Sequence, residues 1–348
     1  MSKVSIIMYH YVRELPYTRF PRIKGLLTSE FKSQLDYMAK HYKFVTMQQC
    51  LDAVYHGAEL PNNAALLTFD DAYIDHFTNV FPILNDRGIQ GCFFPPASVV
   101  MQHKVLDVNK IHFILAAADN LDLLIRNVYA ALDEYRDLFQ LDSNAYYFNK
   151  LAIANRFDPK EIIFVKRLLQ RELPAGARAA IVDQLFKHYV SSDEAAFSRE
   201  LYMDMDQIGC LARNGMYIGG HSFSHSWLNT LTHIDQEIEI DLTVEFLRKT
   251  GCDTNSWVMC YPYGGYNESL IEVLKSRGCV MGLTTKVGIA ALSTDNAFKL
   301  ERLDTVDLPV RSEEPAGKPI VILPPVEVDS YMTPAALKVV SAIRLRAE

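Results

Sequence analysis

The stretch Ala64-Ala65-Leu66-Leu67-Thr68-Phe69-Asp70-Asp71-Ala72-Tyr73 decides the fold. Residues 64–69 form an apolar run of strand length that ends abruptly in two adjacent carboxylates. Residues 73–87 then carry a helical pattern that stops before Gly88, and residues 91–94 begin another strand. Working back towards the N-terminus, the same alternation recurs. Residues 4–9 are a strand, and Thr28 can cap a helix bearing Phe31, Leu35 and Met38 on one face. Phe44-Val45 is a short strand, and Thr46-Met47-Gln48-Gln49 opens a helix that stops at Gly57. A β-α-β-α rhythm of this kind predicts parallel strands covered by helices.

The rhythm breaks between about residues 104 and 206, where helix follows helix. The clearest of these starts at Asp158-Pro159, a cap followed by proline in the first turn. It carries Ile162, Ile163, Val165, Leu168 and Leu169, and Pro174 closes it. Alternation resumes with a strand at 216–218, a helix at 234–249, a strand at 257–261, a helix at 267–277, and strands at 280–284 and 300–303. The expected architecture is α/β: a distorted (β/α) barrel of seven or eight parallel strands with a helical insertion. Residues 1–103 and 207–308 would form the barrel, 104–206 the insertion, and 309–348 a tail with a final helix near 334–346. The insertion fits a lid or substrate platform, and equally structural padding or an oligomer interface.

Composition narrows the function classes. With 49% hydrophobic, 11% aromatic and 22% charged residues the chain is expected to be globular. A net charge of -7 without a basic block argues against a nucleic-acid binder. No stretch approaches the roughly 18 apolar residues that span a bilayer. The N-terminus carries no signal-peptide pattern. The six cysteines are scattered without a C-x-x-C pair, which fits reduced core thiols and a cytoplasmic location. Oligomeric state is not legible here.

Chemistry concentrates at predicted strand ends. Asp70 and Asp71 are the only adjacent Asp pair, and neighbouring carboxylates each need their own positive partner. A metal on one and proton transfer on the other would supply this, as would a helix-capping role for the pair. In Gly219-Gly220-His221-Ser222-Phe223-Ser224-His225, histidines four apart would share one face of a helical turn and could share an ion. Chance alone yields about 0.3 such pairs from ten histidines, so the spacing needs support from its surroundings. The flanking glycines would permit close backbone approach to a ligand. Two histidines and a carboxylate leave coordination positions open, as catalytic metal sites require. Cys260-Tyr261-Pro262-Tyr263-Gly264-Gly265 and His10 also follow strands. In a parallel barrel all four segments meet at the C-terminal face, where barrel active sites lie.

These residues resemble the polysaccharide deacetylase family, the NodB-homology enzymes akin to carbohydrate esterase family 4. Thr68-Phe69-Asp70-Asp71 is similar to its first motif, which usually continues with Gly where this chain has Ala72. The segment from His221 to His225 is similar to its second motif, and Tyr261-Pro262-Tyr263-Gly264 to its third. The resemblance implies that Asp71, His221 and His225 bind a divalent metal. Zinc is the first expectation, with cobalt, manganese or nickel also compatible with these donors. It implies Asp70 as the base that activates water, and the Tyr263 N–H as an oxyanion donor. Many members carry Arg where this chain has Cys260; Arg302, with Asp304 nearby, could substitute from the last strand. The late Leu-x-His acid is missing, since the last histidine is His233. Tyr9-His10 instead resembles the circularly permuted branch, in which an early histidine protonates the leaving amine.

The expected function is metal-dependent removal of an N-acetyl group from an amino sugar, a C–N hydrolysis. The expected substrate is a cytoplasmic nucleotide- or lipid-linked polysaccharide precursor. Formyl or O-acetyl groups are alternatives to acetyl. A catalytically silent sugar-binding barrel and a metal phosphoesterase are the readings from other classes.

Overall fold

A computed structural model describes residues 2–154 and 158–310. The strands, in chain order, are β1 (Lys3–Tyr9), β2 (Lys43–Phe44), β3 (Ala64–Asp70), β4 (Gly91–Phe94), β5 (Tyr217–Ile218), β6 (Trp257–Cys260), β7 (Cys279–Val287), β8 (Ala290–Ala291) and β9 (Leu300–Asp304). Pairing runs β5-β4-β3-β1-β9-β7-β6, all parallel, with β1 and β3 in register from Val4–Ala64 to Tyr9–Phe69. The chain just past β5 closes the ring. Gly220 N–H donates to Val258 O at 2.9 Å, and Cys260 N–H donates to Gly220 O at 2.8 Å. The result is a seven-stranded parallel barrel; β2 extends the start of β3, and β8 runs antiparallel to the start of β1.

Alternation along β3 separates an outer from an inner face. Phe69 stacks between Tyr9 of β1 and Phe93 of β4, at centroid distances of 5.1 and 4.9 Å. Phe31 from the helix α1 (Thr28–His41) covers this ladder edge-on, 5.2 Å from Tyr9. With Phe69 turned outward, Thr68 and Asp70 point inward. Every residue of β3 is buried, as expected of a strand covered on both faces.

The remaining helices of the first part are α2 (Met47–Tyr55), α3 (Phe81–Asp86) and α4 (Ala97–Met101). Thr46 caps α2 through Gln49 N–H, while the Gln49 side chain accepts the Thr46 N–H, the reciprocal box anticipated above. At α1 the cap is Leu27 rather than Thr28, which is the first helical residue, and Glu30 accepts the Leu27 N–H. Ahead of α3 the chain widens into a π turn over His76–Val80. Pro82, just beyond, has no N–H to donate, and Phe81 bonds back to His76 O.

Between α4 and β5 the chain is helical: α5 (Asp107–Ala117), α6 (Leu121–Phe139), α7 (Asn144–Leu151), α8 (Lys160–Arg167), α9 (Ala175–Tyr189), α10 (Glu194–Leu201) and α11 (Met205–Arg213). Pro159, not Asp158, occupies the cap of α8. Asp158 is buried one residue earlier and holds Lys24 at 2.5 Å and Lys166 at 2.7 Å. Its carboxylate therefore links the segment after β1 to α8 instead of capping a helix. Two helices complete the barrel: α12 (His233–Lys249), capped by Thr232, and α13 (Glu268–Ser276), capped by Asn267. The helix expected near 334–346 lies outside the described residues. No helix among the described residues is long and apolar enough to cross a membrane.

Candidate active site

The anticipated residues converge at the C-terminal ends of the barrel strands. Asp70 is the last residue of β3, Cys260 the last of β6, and Arg302 the third of the five in β9. Inside the barrel, Arg302 Nη1 donates to Asp70 Oδ1 at 3.0 Å, and Nη2 lies 2.8 Å from Oδ2. Arg302 is fixed further by Thr284 O at 2.8 Å and Thr68 Oγ1 at 3.2 Å. The Cys260 thiol also reaches Asp70 Oδ2, at 3.3 Å. Burial pushes this thiol's pKa up, which keeps it protonated as a donor. Burial works against charge on Asp70, but the Arg302 guanidinium outweighs it and brings the carboxyl down to about 2. The base candidate is thus held ionised by a guanidinium from β9, while Cys260 fills the β6 position beside it.

Asp71 turns the other way. Its Oδ1 lies 3.4 Å from His221 Nε2 and 3.3 Å from His225 Nε2. His221 Nδ1 donates to Cys260 O at 2.6 Å, which leaves Nε2 as the ring nitrogen facing Asp71 and free to offer its lone pair to a cation there. Asp71 Oδ1 is buried and has no hydrogen-bond donor. An orphaned anionic oxygen flanked by two imidazole nitrogens fits a divalent cation with N/O preference. Burial opposes ionisation of Asp71, yet His225 and His221 hold its pKa well below the usual carboxylate range. Burial likewise opposes charge on His221, but the carboxylates of Asp71 and Asp70 favour it and its pKa is raised. At His225 burial wins and the pKa falls.

The two histidines do not share a helical turn. Residues 221–225 form an irregular loop in which Ser222 (φ 59°) and His225 (φ 59°) are left-handed. Ser222 Oγ accepts the His225 N–H at 2.9 Å, and Glu239 of α12 accepts from the N–H groups of Phe223 and Ser224 at 3.0 Å each. The glycines ahead of the loop also serve a different purpose from the one expected. A Cβ on Gly219 would lie 2.4 Å from Phe94 and 2.7 Å from Val258 O, and one on Gly220 would lie 2.6 Å from Trp257. They let β5 approach β6 and close the barrel, rather than admitting a ligand. Left-handed backbone also occurs at Asp71 (φ 74°), Ala72 (φ 58°) and Tyr263 (φ 57°), so strain gathers around the triad.

Tyr263 packs edge-on against His225 at 4.7 Å and stacks on Trp227 at 4.5 Å. Beside them opens a cleft of about 330 Å³ lined also by Lys104, Asp107, Lys110 and Arg178. Lys110 is neutralised by Asp183 at 2.5 Å and Glu194 at 3.0 Å. His10 follows β1, and its carbonyl accepts from His76 Nε2 at 2.8 Å. Asp304, beyond Arg302, caps the turn Thr305–Asp307 by accepting the Val306 N–H at 3.1 Å.

Several residues of this site escaped the sequence reading. Trp227 and Glu239 carry no local signature. Tyr73 lies two residues from Asp71 and donates to its Oδ2 at 2.7 Å; its adjacency to the Asp pair was the available clue. Asn109, which donates to Tyr73 at 2.6 Å, had none.

A family model described as Polysaccharide deacetylase matches residues 175–282, which include His221, His225 and Tyr263 but not Asp70, Asp71 or Arg302. No curated protein matches the chain. Among solved structures, the deacetylase PplD of Streptococcus pyogenes in complex with acetate aligns with a TM-score of 0.52 at 15% identity. It covers 87% of this chain and 92% of that one. IcaB from Ammonifex degensii aligns at 0.50 with 17% identity, covering 87% and 91%. The BpsB deacetylase domain from Bordetella bronchiseptica aligns at 0.50 with 15% identity, covering 87% and 95%. At these identities the likeness is one of fold: the α/β barrel described here is the barrel of those deacetylases.

Proposed function

We propose that this chain, whose residues 175–282 match the polysaccharide deacetylase model, is a metal-dependent hydrolase removing an N-acetyl group from an amino sugar. One observation carries the metal: Asp71 Oδ1, buried and without a donor, stands between the Nε2 atoms of His221 and His225. Asp71, His221 and His225 would hold a divalent cation, zinc above all, which when bound would supply Lewis-acid chemistry towards the acyl carbonyl and water. Asp70, held ionised by Arg302, accepts the proton of the attacking water. The Tyr263 N–H donates to the oxyanion, and His10 gives a proton to the departing amine. The Trp227–Tyr263 face offers an apolar platform for a sugar ring beside His225. Asp107 and Arg178, which line the same cleft, can exchange hydrogen bonds with sugar hydroxyls.

The described cysteines are all unpaired thiols, which supports a reducing compartment and a cytoplasmic precursor, nucleotide- or lipid-linked, as substrate. Early placement of His10 in the chain supports the permuted branch of the family. The direct test is acetate release from N-acetylated sugars, nucleotide sugars and short oligosaccharides, using stripped protein with and without zinc, cobalt, manganese or nickel. Metal-dependent release abolished in His225→Ala is the expected result. A protein that takes up no metal and releases no acyl group, formyl and O-acetyl included, would favour a silent sugar-binding barrel.

A further inference from the structure

Behind Asp71, on the side away from the histidines, lies a buried chain of hydrogen bonds that the proposed reaction does not use. Leu106 N–H donates to Tyr202 Oη at 3.1 Å, and the Tyr202 hydroxyl donates to Asn109 Oδ1. Asn109 Nδ2 donates to Tyr73 Oη at 2.6 Å and to Tyr11 Oη at 3.0 Å, and the Tyr73 hydroxyl donates to Asp71 Oδ2 at 2.7 Å. Tyr73, Asn109 and Tyr202 are all buried. The two ends dictate the polarity of the chain. A backbone N–H can only donate and an ionised carboxylate can only accept, so each hydroxyl and the Asn109 amide has one orientation. Hydrogen bonds aligned head to tail reinforce one another in a dry interior.

Leu106, Asn109 and Tyr202 all come from the helical stretch between α4 and α11, not from the barrel. The same stretch grips the backbone of the Asp71 loop. Met203 N–H donates to Ala72 O at 2.8 Å, and Tyr73 bridges Tyr202 in an antiparallel pair. With Oδ2 committed to Tyr73, Asp71 is left with Oδ1 aimed at His221 and His225.

We propose that Tyr73, and Asn109 acting through it, are positioning residues that fix which oxygen of Asp71 meets the cation, so that the helical segment sets the metal affinity of the barrel. The proposal rests on the triad being a metal site. An outer hydrogen-bond partner of a metal ligand is worth roughly 10- to 100-fold in affinity.

The test is the zinc dissociation constant of the full chain, measured by competition with a chromophoric chelator, alongside the thermal midpoint of the zinc-free protein. Wild type should bind zinc, and His225→Ala should not. Tyr73→Phe and Asn109→Ala should each bind about 10- to 100-fold more weakly, with the exposed control Tyr146→Phe unchanged. Tyr73→Phe removes a single oxygen, so it decides the matter if Asn109→Ala does not fold. Wild-type affinity in Tyr73→Phe, with His225→Ala silent, overturns this inference and leaves the metal site standing. A wild type that takes up no zinc, cobalt or manganese overturns both.

Discussion

Asp70 and Asp71 are neighbours in sequence yet face different partners, because β3 ends at Asp70 and the left-handed backbone of Asp71 (φ 74°) turns its carboxylate out of the strand's alternation. One meets a guanidinium and the other two imidazoles, which separates their chemistry without separating them in space. Asp70→Asn is therefore expected to keep zinc affinity while lowering turnover roughly 100- to 10,000-fold. Unchanged turnover would remove the base role. Arg302→Lys keeps the charge but cannot match two carboxylate oxygens at once. It should lower kcat at least about tenfold with the zinc dissociation constant unmoved, as comparing steady-state kinetics with chelator competition would reveal. His10→Ala should slow amide cleavage more than cleavage of an activated ester, whose leaving group needs no proton; equal slowing would count against the acid role. Ala72 is a further residue-scale matter. Its left-handed backbone costs about 1 kcal/mol, and burial of its methyl returns about 0.8 kcal/mol. That balance explains how an alanine is held at a left-handed position.

At the scale of elements, the approach of β5 to β6 is the step that delivers His221. Gly219 stands where a methyl would meet the carbonyl oxygen of Val258, a backbone atom that cannot swing aside. Gly219→Ala should cost about 1–3 kcal/mol in urea unfolding and weaken zinc binding as the loop shifts. Loss of neither would mean that the ring closure tolerates more than its geometry suggests. Elsewhere, Asp158 links α8 to the segment after β1 through Lys166 and Lys24. Burial disfavours its charge, but the two ammonium groups outweigh it and depress its pKa. A depressed carboxylate contributes stability that is present above its unfolded pKa, near 3.8, and lost as pH falls through the folded value. Asp158→Asn should accordingly be less stable than wild type near neutrality, with the gap closing below about pH 4 in pH-dependent denaturant melts.

On the scale of the whole molecule, barrel and helical segment meet around one carboxylate, that of Asp71, whose two oxygens face the histidines and the Tyr73–Asn109 chain. A cation that binds only the folded triad stabilises the fold by mass action, about 2.7 kcal/mol at a hundredfold excess over its dissociation constant. Zinc should raise the thermal midpoint by several degrees in wild type. It should leave His225→Ala unmoved. An equal shift in both would locate the binding elsewhere.

Much of this was legible in the sequence by itself. Short apolar runs ending in chemistry-bearing residues, punctuated by Gly57, Gly88, Gly251 and Gly278, carry the strand and helix alternation because periodicity and turn chemistry are local properties. The gathering of Asp70, Asp71, His221, His225 and Tyr263 followed from placing each at the C-terminal end of a parallel strand. Contacts that span the chain were not local, and only the tertiary structure decided them. Arg302 reaches Asp70 across 232 residues, and Asn109 reaches Tyr73 across 36, by routes that no pattern of spacing encodes. The loop from His221 to His225 read as a helical turn, because four-residue spacing is all that a sequence displays. Its actual path is imposed by Glu239 and by the barrel closing at Gly220, which are contacts that exist only once the chain has folded.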